Sequence, residues 1–445
     1  MKFFEVSGKR LLLTALAVIF CSFLMAVPGH AAEKTTKEVL NEELPPGEPS
    51  LGEKMWDNFL FIANGDAFFT LSRLNNAGTV GGGSADALLA PTYKFNDRTF
   101  FILMYDGHYS KKRDFYSDGV GPRERSEFQA HTIQPMFRKD FGPRARYSLT
   151  PSVFTTYTFN KDIDAADWDD GLYNYRDVGG ALEFDMREVF VKEGTINLTA
   201  QYYKRRYPNY ASLLSLTGLD LQSGLNVEKN EKDYHGVLVK GGYSMVKSLG
   251  FSFETQYALL QKNLDDKKVV SSDGILTSEG QKDYLYTLDL NLWHTLDVGG
   301  GLKLGLDLRG GLNRSNQNYY DGMETIIITD DKFTSDYYNY AMYRISPNIS
   351  FTFPLFPLTA SAAYAFQKTR FTDRKATFAN GSYKPDLERD IEQTISFRLS
   401  YELSSHWNLV GLWEHTKASS NYDDERVYRY DYTINNCSIG VAFKY

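Results

Sequence analysis

Charged residues at every second position are the part of this sequence that could do chemistry. Glu183, Asp185, Lys240, Glu254, Asp289, Lys303, Asp307, Arg309, Arg344, Glu392, Arg398, Glu402 and Glu414 fall in runs where small or polar residues alternate with apolar ones. Arg138 and Arg146 belong with them. Side chains of both signs set around a water-filled passage sort ions by sign and size. The plainer reading is a hydrated wall whose charges pair across strands. A second set, Asp162, Asp164, Asp167, Asp169 and Asp170, crowds carboxylates into one segment. Hard cations such as Ca²⁺ take several oxygens, but the spacing is not that of an EF-hand. No resident metal is expected, and this segment is the one weak candidate for one.

Other chemistry has little support. The seven histidines are scattered, and His294 is expected to face lipid. No nucleophile elbow, phosphate-cradling Gly-rich loop or Cys/His metal spacing occurs. The runs Gly81–Gly83 and Gly299–Gly301 are read as loop and turn glycines. The chain is therefore expected to be no enzyme and to need no cofactor.

The alternation itself defines the elements. Leu302, Leu304, Leu306, Leu308 and Leu312 oppose Lys303, Gly305, Asp307, Arg309, Gly311 and Asn313. Ile395, Phe397, Leu399, Tyr401 and Leu403 oppose Thr394, Ser396, Arg398, Ser400 and Glu402. A period of two marks strands with one apolar face. Runs of this length suit strands that cross a bilayer at a tilt. Tight connections (near 96–98, 142–144, 191–194, 247–250, 297–301, 354–357 and 404–406) alternate with long ones. The long ones are placed near 75–83, 111–126, 160–172, 206–233, 263–282, 315–336, 372–389 and 420–426. The expected fold is an all-β transmembrane antiparallel barrel of about sixteen strands, over 59–445, with short periplasmic turns and long extracellular loops. Pro91, Pro135, Pro151 and Pro347 fall inside strands, where bulges would accommodate them. The loop near 206–233 carries Leu213, Leu214, Leu216, Leu219 and Leu221, which could narrow the lumen, form a short helix or meet another subunit.

Composition agrees. Lys2, Lys9 and Arg10 precede an apolar stretch from Leu11 to Val27. Pro28 and Gly29 break it, and Ala31 and Ala32 follow, which is the layout of a secretory signal peptide over 1–32. Residues 33–58 read as a polar periplasmic leader. Phe20 before Cys21 argues against a lipoprotein site, and without the signal Cys437 is the only thiol, so no internal disulfide is expected. The whole chain carries 49 basic and 56 acidic side chains, a net −7. Loss of 1–32 leaves 46 against 55. That balance excludes a basic nucleic-acid footprint and weakly favours cations over anions. The mean hydropathy of −0.40 fits strands that show lipid only every second residue.

The chain ends with Ile439, Val441, Phe443 and Tyr445 on one face. Upstream, Tyr428, Tyr430, Tyr432 and Ile434 lie on the other parity, so a bulge near Asn435–Asn436, or an extension above the membrane, is needed. This ending resembles the barrel-closing strand of Gram-negative outer-membrane proteins, and the layout resembles porin-type barrels. The segment from Ser419 to Tyr432 is also similar to the last hairpin of surface-lipoprotein assembly modifiers. The resemblance implies export to the outer membrane, contact with its lipid, and reading of the last strand by the barrel-assembly machinery. It implies a passive channel for small hydrophilic solutes or ions, weakly cation-preferring. The alternative is an assembly, secretion or partner-sheathing barrel, for polysaccharide, surface lipoprotein or an electron carrier. A homo-oligomer or a lumen-filling partner is compatible with both.

Overall fold

A chain that crosses lipid with strands must pair every backbone N–H and C=O, and a sheet does so only by closing on itself. In a computed structural model of the chain it closes. The structure describes residues 58–74, 78–115, 125–161, 167–210, 231–246, 250–298, 300–320, 333–423 and 431–445. The segment expected to be a signal peptide, all of the expected leader but Asn58, and the five loop leucines lie outside these residues, as do Asp162 and Asp164.

The strands are β1 (Phe59–Leu74), β2 (Gly78–Asn96), β3 (Thr99–Phe115), β4 (Arg125–Phe141), β5 (Tyr147–Lys161), β6 (Tyr175–Arg187), β7 (Gly194–Arg206), β8 (Tyr234–Val246) and β9 (Phe251–Val270). They continue with β10 (Leu276–Asp297), β11 (Gly301–Ser315), the short β12 (Tyr319–Tyr320) and β13 (Phe333–Thr334), β14 (Tyr340–Thr352), β15 (Leu358–Thr377), β16 (Tyr383–Glu402), β17 (Trp407–Ser420) and β18 (Tyr432–Lys444). All but β12 and β13 form one closed antiparallel barrel of sixteen strands, in which β1 pairs with both β2 and β18. β12 and β13 pair only with each other. Beyond the ladder, Tyr445 N–H donates to Ala63 O at 2.7 Å and Ala63 N–H donates back at 3.2 Å, so the seam is bonded to its end.

Pairing register fixes which way each side chain points. Phe69, Leu71, Leu103, Val153, Leu182, Leu198, Val239, Leu288, Ile345, Phe397, Leu399 and Ile439 are exposed although large and apolar. They lie on register-matched positions, and a face of that composition belongs against lipid. Cys437 is exposed on this face, opposite Trp413 and Leu71. His294 falls there too, opposite Leu304, as expected. At the short-turn end the lipid face is lined by aromatic residues. Phe141 and Tyr147 stack at 5.6 Å, Trp407 lies 4.8 Å from Phe443, and Phe61 lies 6.3 Å from Tyr445. Such rings seat amphipathic edges at a head-group level. The turn at Gly142 needs its glycine: its φ is +78°, and a Cβ there would lie 2.7 Å from the Tyr147 ring.

At the other end the lipid face changes character. Its outward series ends in cations: Arg176, Lys204 and Arg206 on β6–β7, Lys282 and Arg314 on β10–β11, and Lys368, Arg370, Arg389 and Lys417 on β15–β17.

Several expectations are corrected. Residues 263–282 and 372–389 are largely paired strand rather than loop, so the β9–β10 and β15–β16 hairpins extend well beyond the apolar band. Their solvated parts have no lipid to enforce alternation, which hid them. Gly81–Gly83 lie within β2, paired with β1 and β3, not in a loop. The prolines mark no bulges. Register is the same on either side of Pro91, Pro135 and Pro347, and Pro151 pairs with Leu182 in step. Each forgoes one ladder bond from the lipid-facing parity. No bulge occurs at Asn435–Asn436, because both registers of β18 run through it unbroken. Tyr432 and Ile434 therefore face the lumen.

Candidate functional site

The polar faces of the sixteen strands form the lumen wall. All thirteen charged candidates fall on this face by register. On β11 the inward positions run Gly311, Arg309, Asp307, Gly305 and Lys303, and each begins a rung around the barrel. The Arg309 rung joins Glu392, Gln367, Arg344, Arg309, Asp289, Gln256, Gly242, Asn197, Asp185 and Ser148. The Gly311 rung carries Lys240 and Glu183, with Thr199 between them. The Asp307 rung carries Glu254, the Gly305 rung Glu414, and the Lys303 rung Arg398. Glu402, opposite Asn408, sits apart at the short-turn rim. Arg138 also faces inward and donates to Asp140 at 2.9 Å. Arg146 does not line the lumen; it lies in the β4–β5 turn and donates to the carbonyls of Arg187 and Glu188 at the neighbouring end of β6, at 3.0 and 3.1 Å.

Four of these charges are held by neighbours on adjacent strands. Arg309 is ion-paired with Asp289. Asp185 accepts from Ser148 Oγ at 2.8 Å and from Asn197 Nδ2 at 2.5 Å. Asp307 accepts from Asn348 Nδ2 at 2.9 Å. Yet the Arg309 side chain keeps 51% of its exposure, and Lys303, Arg344 and Arg398 are exposed.

Two lumen clusters escaped the sequence reading. On β1–β3, Asp66 is the direct register partner of Asp86, and Asp86 Oδ1 lies 2.5 Å from His108 Nδ1. Asp106 lies on the same face of β3, and the ring of Phe128 on β4 lies 5.6 Å from that of His108. The Asp86 side chain keeps 46% exposure. The even parity of 66, 86, 106 and 108 was available, but nothing in the sequence aligned the three strands. On β6–β8, Arg205 donates from Nε and Nη2 to the two oxygens of Asp177, each at 2.7 Å. Its guanidinium lies 3.7 Å from the Tyr175 ring and 5.4 Å from the Tyr234 ring. The Tyr203 ring lies across Gly236, where a Cβ would come within 2.4 Å of it. Asp177, Tyr203 and Tyr234 are buried, so this cluster stiffens the wall more than it offers a surface.

At the long-loop end, beyond the apolar band, Glu388 is fully buried with Arg374 Nε 2.6 Å from Oε2. Burial pushes its carboxyl up to about 7; Arg374 opposes the shift and Asp390 adds to it. The Arg374 guanidinium lies 4.9 Å from the Tyr337 ring, which stacks on Tyr319 at 4.7 Å. Lys232 lies 4.5 and 4.6 Å from the rings of Tyr173 and Tyr210, and its ammonium is held below the usual lysine range by burial and by Lys267. Of the acidic segment, Asp167, Asp169 and Asp170 are described, and among the described residues no metal-binding group forms.

The chain is similar to outer-membrane β-barrels. OmpT of Vibrio cholerae covers 87% of this chain and all of its own, at 9% identity and a TM-score of 0.40. OccAB1 of Acinetobacter baumannii covers 87% of this chain and 97% of its own, at 12% identity and a TM-score of 0.43. CdiB of Acinetobacter baumannii covers 86% of this chain, which spans 60% of CdiB, at 11% identity and a TM-score of 0.46. No protein-family model matches the chain, and no curated protein matches it.

Proposed function

We propose that this chain is an outer-membrane channel through which small hydrophilic solutes or ions diffuse passively, without an enzymatic step. The observation that carries the reading is the solvent exposure left to charged lumen residues at mid-barrel, above all Arg309 and Asp86. A barrel of sixteen strands encloses more space than its own side chains fill. Charges of both signs on successive rungs support passage of varied solutes rather than capture of one. The carboxylates of Asp66, Asp86 and Asp106 support a weak preference for cations, because fixed charge on the wall enriches counter-ions.

The test is single-channel conductance of the refolded protein in a planar bilayer, with a salt gradient across it. Stable steps whose reversal potential favours the cation are expected. A folded protein that passes no current would sink the open-channel reading.

A further inference from the structure

The cations at the long-loop end of the lipid face are set in a definite order along each strand. On β15 the outward residues run Tyr364, Phe366, Lys368 and Arg370. On β16 they run Phe397, Ile395, Gln393, Ile391 and Arg389, and on β17 Trp413, His415 and Lys417. Apolar side chains come first and cations follow, at the level where a bilayer changes from acyl chains to head groups. Arg370 and Arg389 are direct register partners, which brings two like charges to about 5 Å at Cβ, an unfavourable pairing on its own. Arg176 and Arg206 repeat the arrangement on β6–β7. The nearby carboxylates Asp390 and Glu392 point the other way, into the lumen. Arg370, Arg389, Lys368 and Lys417 have no ion-pair or hydrogen-bond partner for their side chains among the described residues, and Arg370, Arg389 and Lys417 are exposed.

We propose that the outer face of β15–β17 binds phosphate-bearing lipid head groups of the leaflet at the long-loop end. A phosphate placed between two guanidiniums relieves their repulsion and accepts paired N–H bonds from their forks. Its acyl chains then lie along Phe366, Ile395, Phe397 and Trp413. A lipid matches both halves of the patch; free phosphate would use only the upper half. At the other rim the same strands end on Leu358, Leu403 and Trp407, with no cation facing outward. The chain as a whole is acidic, so this concentration of positive charge on one rim is not a matter of composition.

The full chain would be folded into phosphatidylcholine vesicles carrying a trace of spin-labelled phosphatidic acid or spin-labelled phosphatidylcholine. The immobilised fraction of each label gives their relative affinity for the wall. Phosphatidic acid is expected to be preferred, by about fivefold for each cation it engages. The double variant R370Q/R389Q should lose most of that preference. The lumen double variant R309Q/R344Q, equal in charge removed, should keep it. If R370Q/R389Q does not fold, K368Q/K417Q serves in its place and should lower the preference by a smaller factor. Equal immobilisation of both labels by the wild type would overturn the proposal, as would equal loss in the lumen variant. Complete displacement of the label by millimolar inorganic phosphate would also overturn it, in favour of a free-anion site. Conductance of the same preparations reports on the channel reading separately.

Discussion

The two faces of one barrel wall handle charge in opposite ways. Inside, acids and bases are interspersed and several are engaged within a strand or two: Asp289 with Arg309, Asp177 with Arg205, Asp140 with Arg138, Asp86 with His108. Outside, mid-wall positions carry no charge, and the upper rim carries mainly one sign. Water fills in around any lumen charge that its neighbours leave incomplete. Hydrocarbon cannot, so the outer face excludes charge until the head groups begin. Opposite treatment of adjacent residues is what holds each strand in register, since a slip by one residue would exchange the faces.

The sharpest way to break that contrast is to put one charge on each face at one height. Leu288→Arg, on the lipid face, should destabilise the barrel by about 3 kcal/mol in urea unfolding from vesicles. Thr287→Arg, its inward neighbour, should change stability little. Equal costs for the two would mean that the faces are misassigned. Next in size is Asp177→Asn, which leaves Arg205 among Tyr175 and Tyr234 with a neutral partner. Arg205 keeps about a fifth of its exposure, so a loss of about 2 kcal/mol is expected, below that of a fully buried pair.

The third effect depends on pH. Glu388 has its carboxyl raised from 4.5 to about 7 in the folded chain. Between those values the native state holds a proton that the unfolded state has released. Stability from this group is therefore complete below pH 4.5 and is lost as pH rises to 7, by roughly 1 kcal/mol per unit at most. Amide exchange in the outer β15–β16 hairpin should be slower at pH 5 than at pH 8, and Glu388→Gln should remove most of the difference. Exchange that is slower at pH 8, after correction for the intrinsic rate, would reverse the sign. The smallest effect is on selectivity. Removing carboxylates in D66N/D86N should lower the cation-to-anion permeability ratio by roughly twofold, read from the reversal potential.

Much of the fold was legible because lipid imposes a strict rule on sequence. Wherever a strand crosses hydrocarbon, its residues alternate, and the parity of Leu302–Asn313 or Thr394–Leu403 was enough to place Asp307, Arg309, Arg398 and the other charged candidates on the inner wall. Legibility failed where the rule lapses. The outer parts of β9–β10 and β15–β16 are wet on both faces, so 263–282 and 372–389 read as loops. Tyr432 and Ile434 broke the expected phase only because they are large side chains admitted to the lumen. The Asp66, Asp86 and His108 cluster stayed hidden for another reason. It depends on how β1, β2 and β3 align across two turns, which no single stretch of sequence encodes.

The placement of Cys437 has a practical consequence. In a chain cut after residue 32 it is the only sulfhydryl, and it looks out beside Trp413 on the lipid face rather than into the lumen. A membrane-permeant maleimide should therefore label the folded protein at one site, while a charged maleimide of the same reactivity should not. A fluorophore attached there would report its immersion depth through quenching by brominated lipids, giving the molecule a built-in depth gauge without any engineered residue.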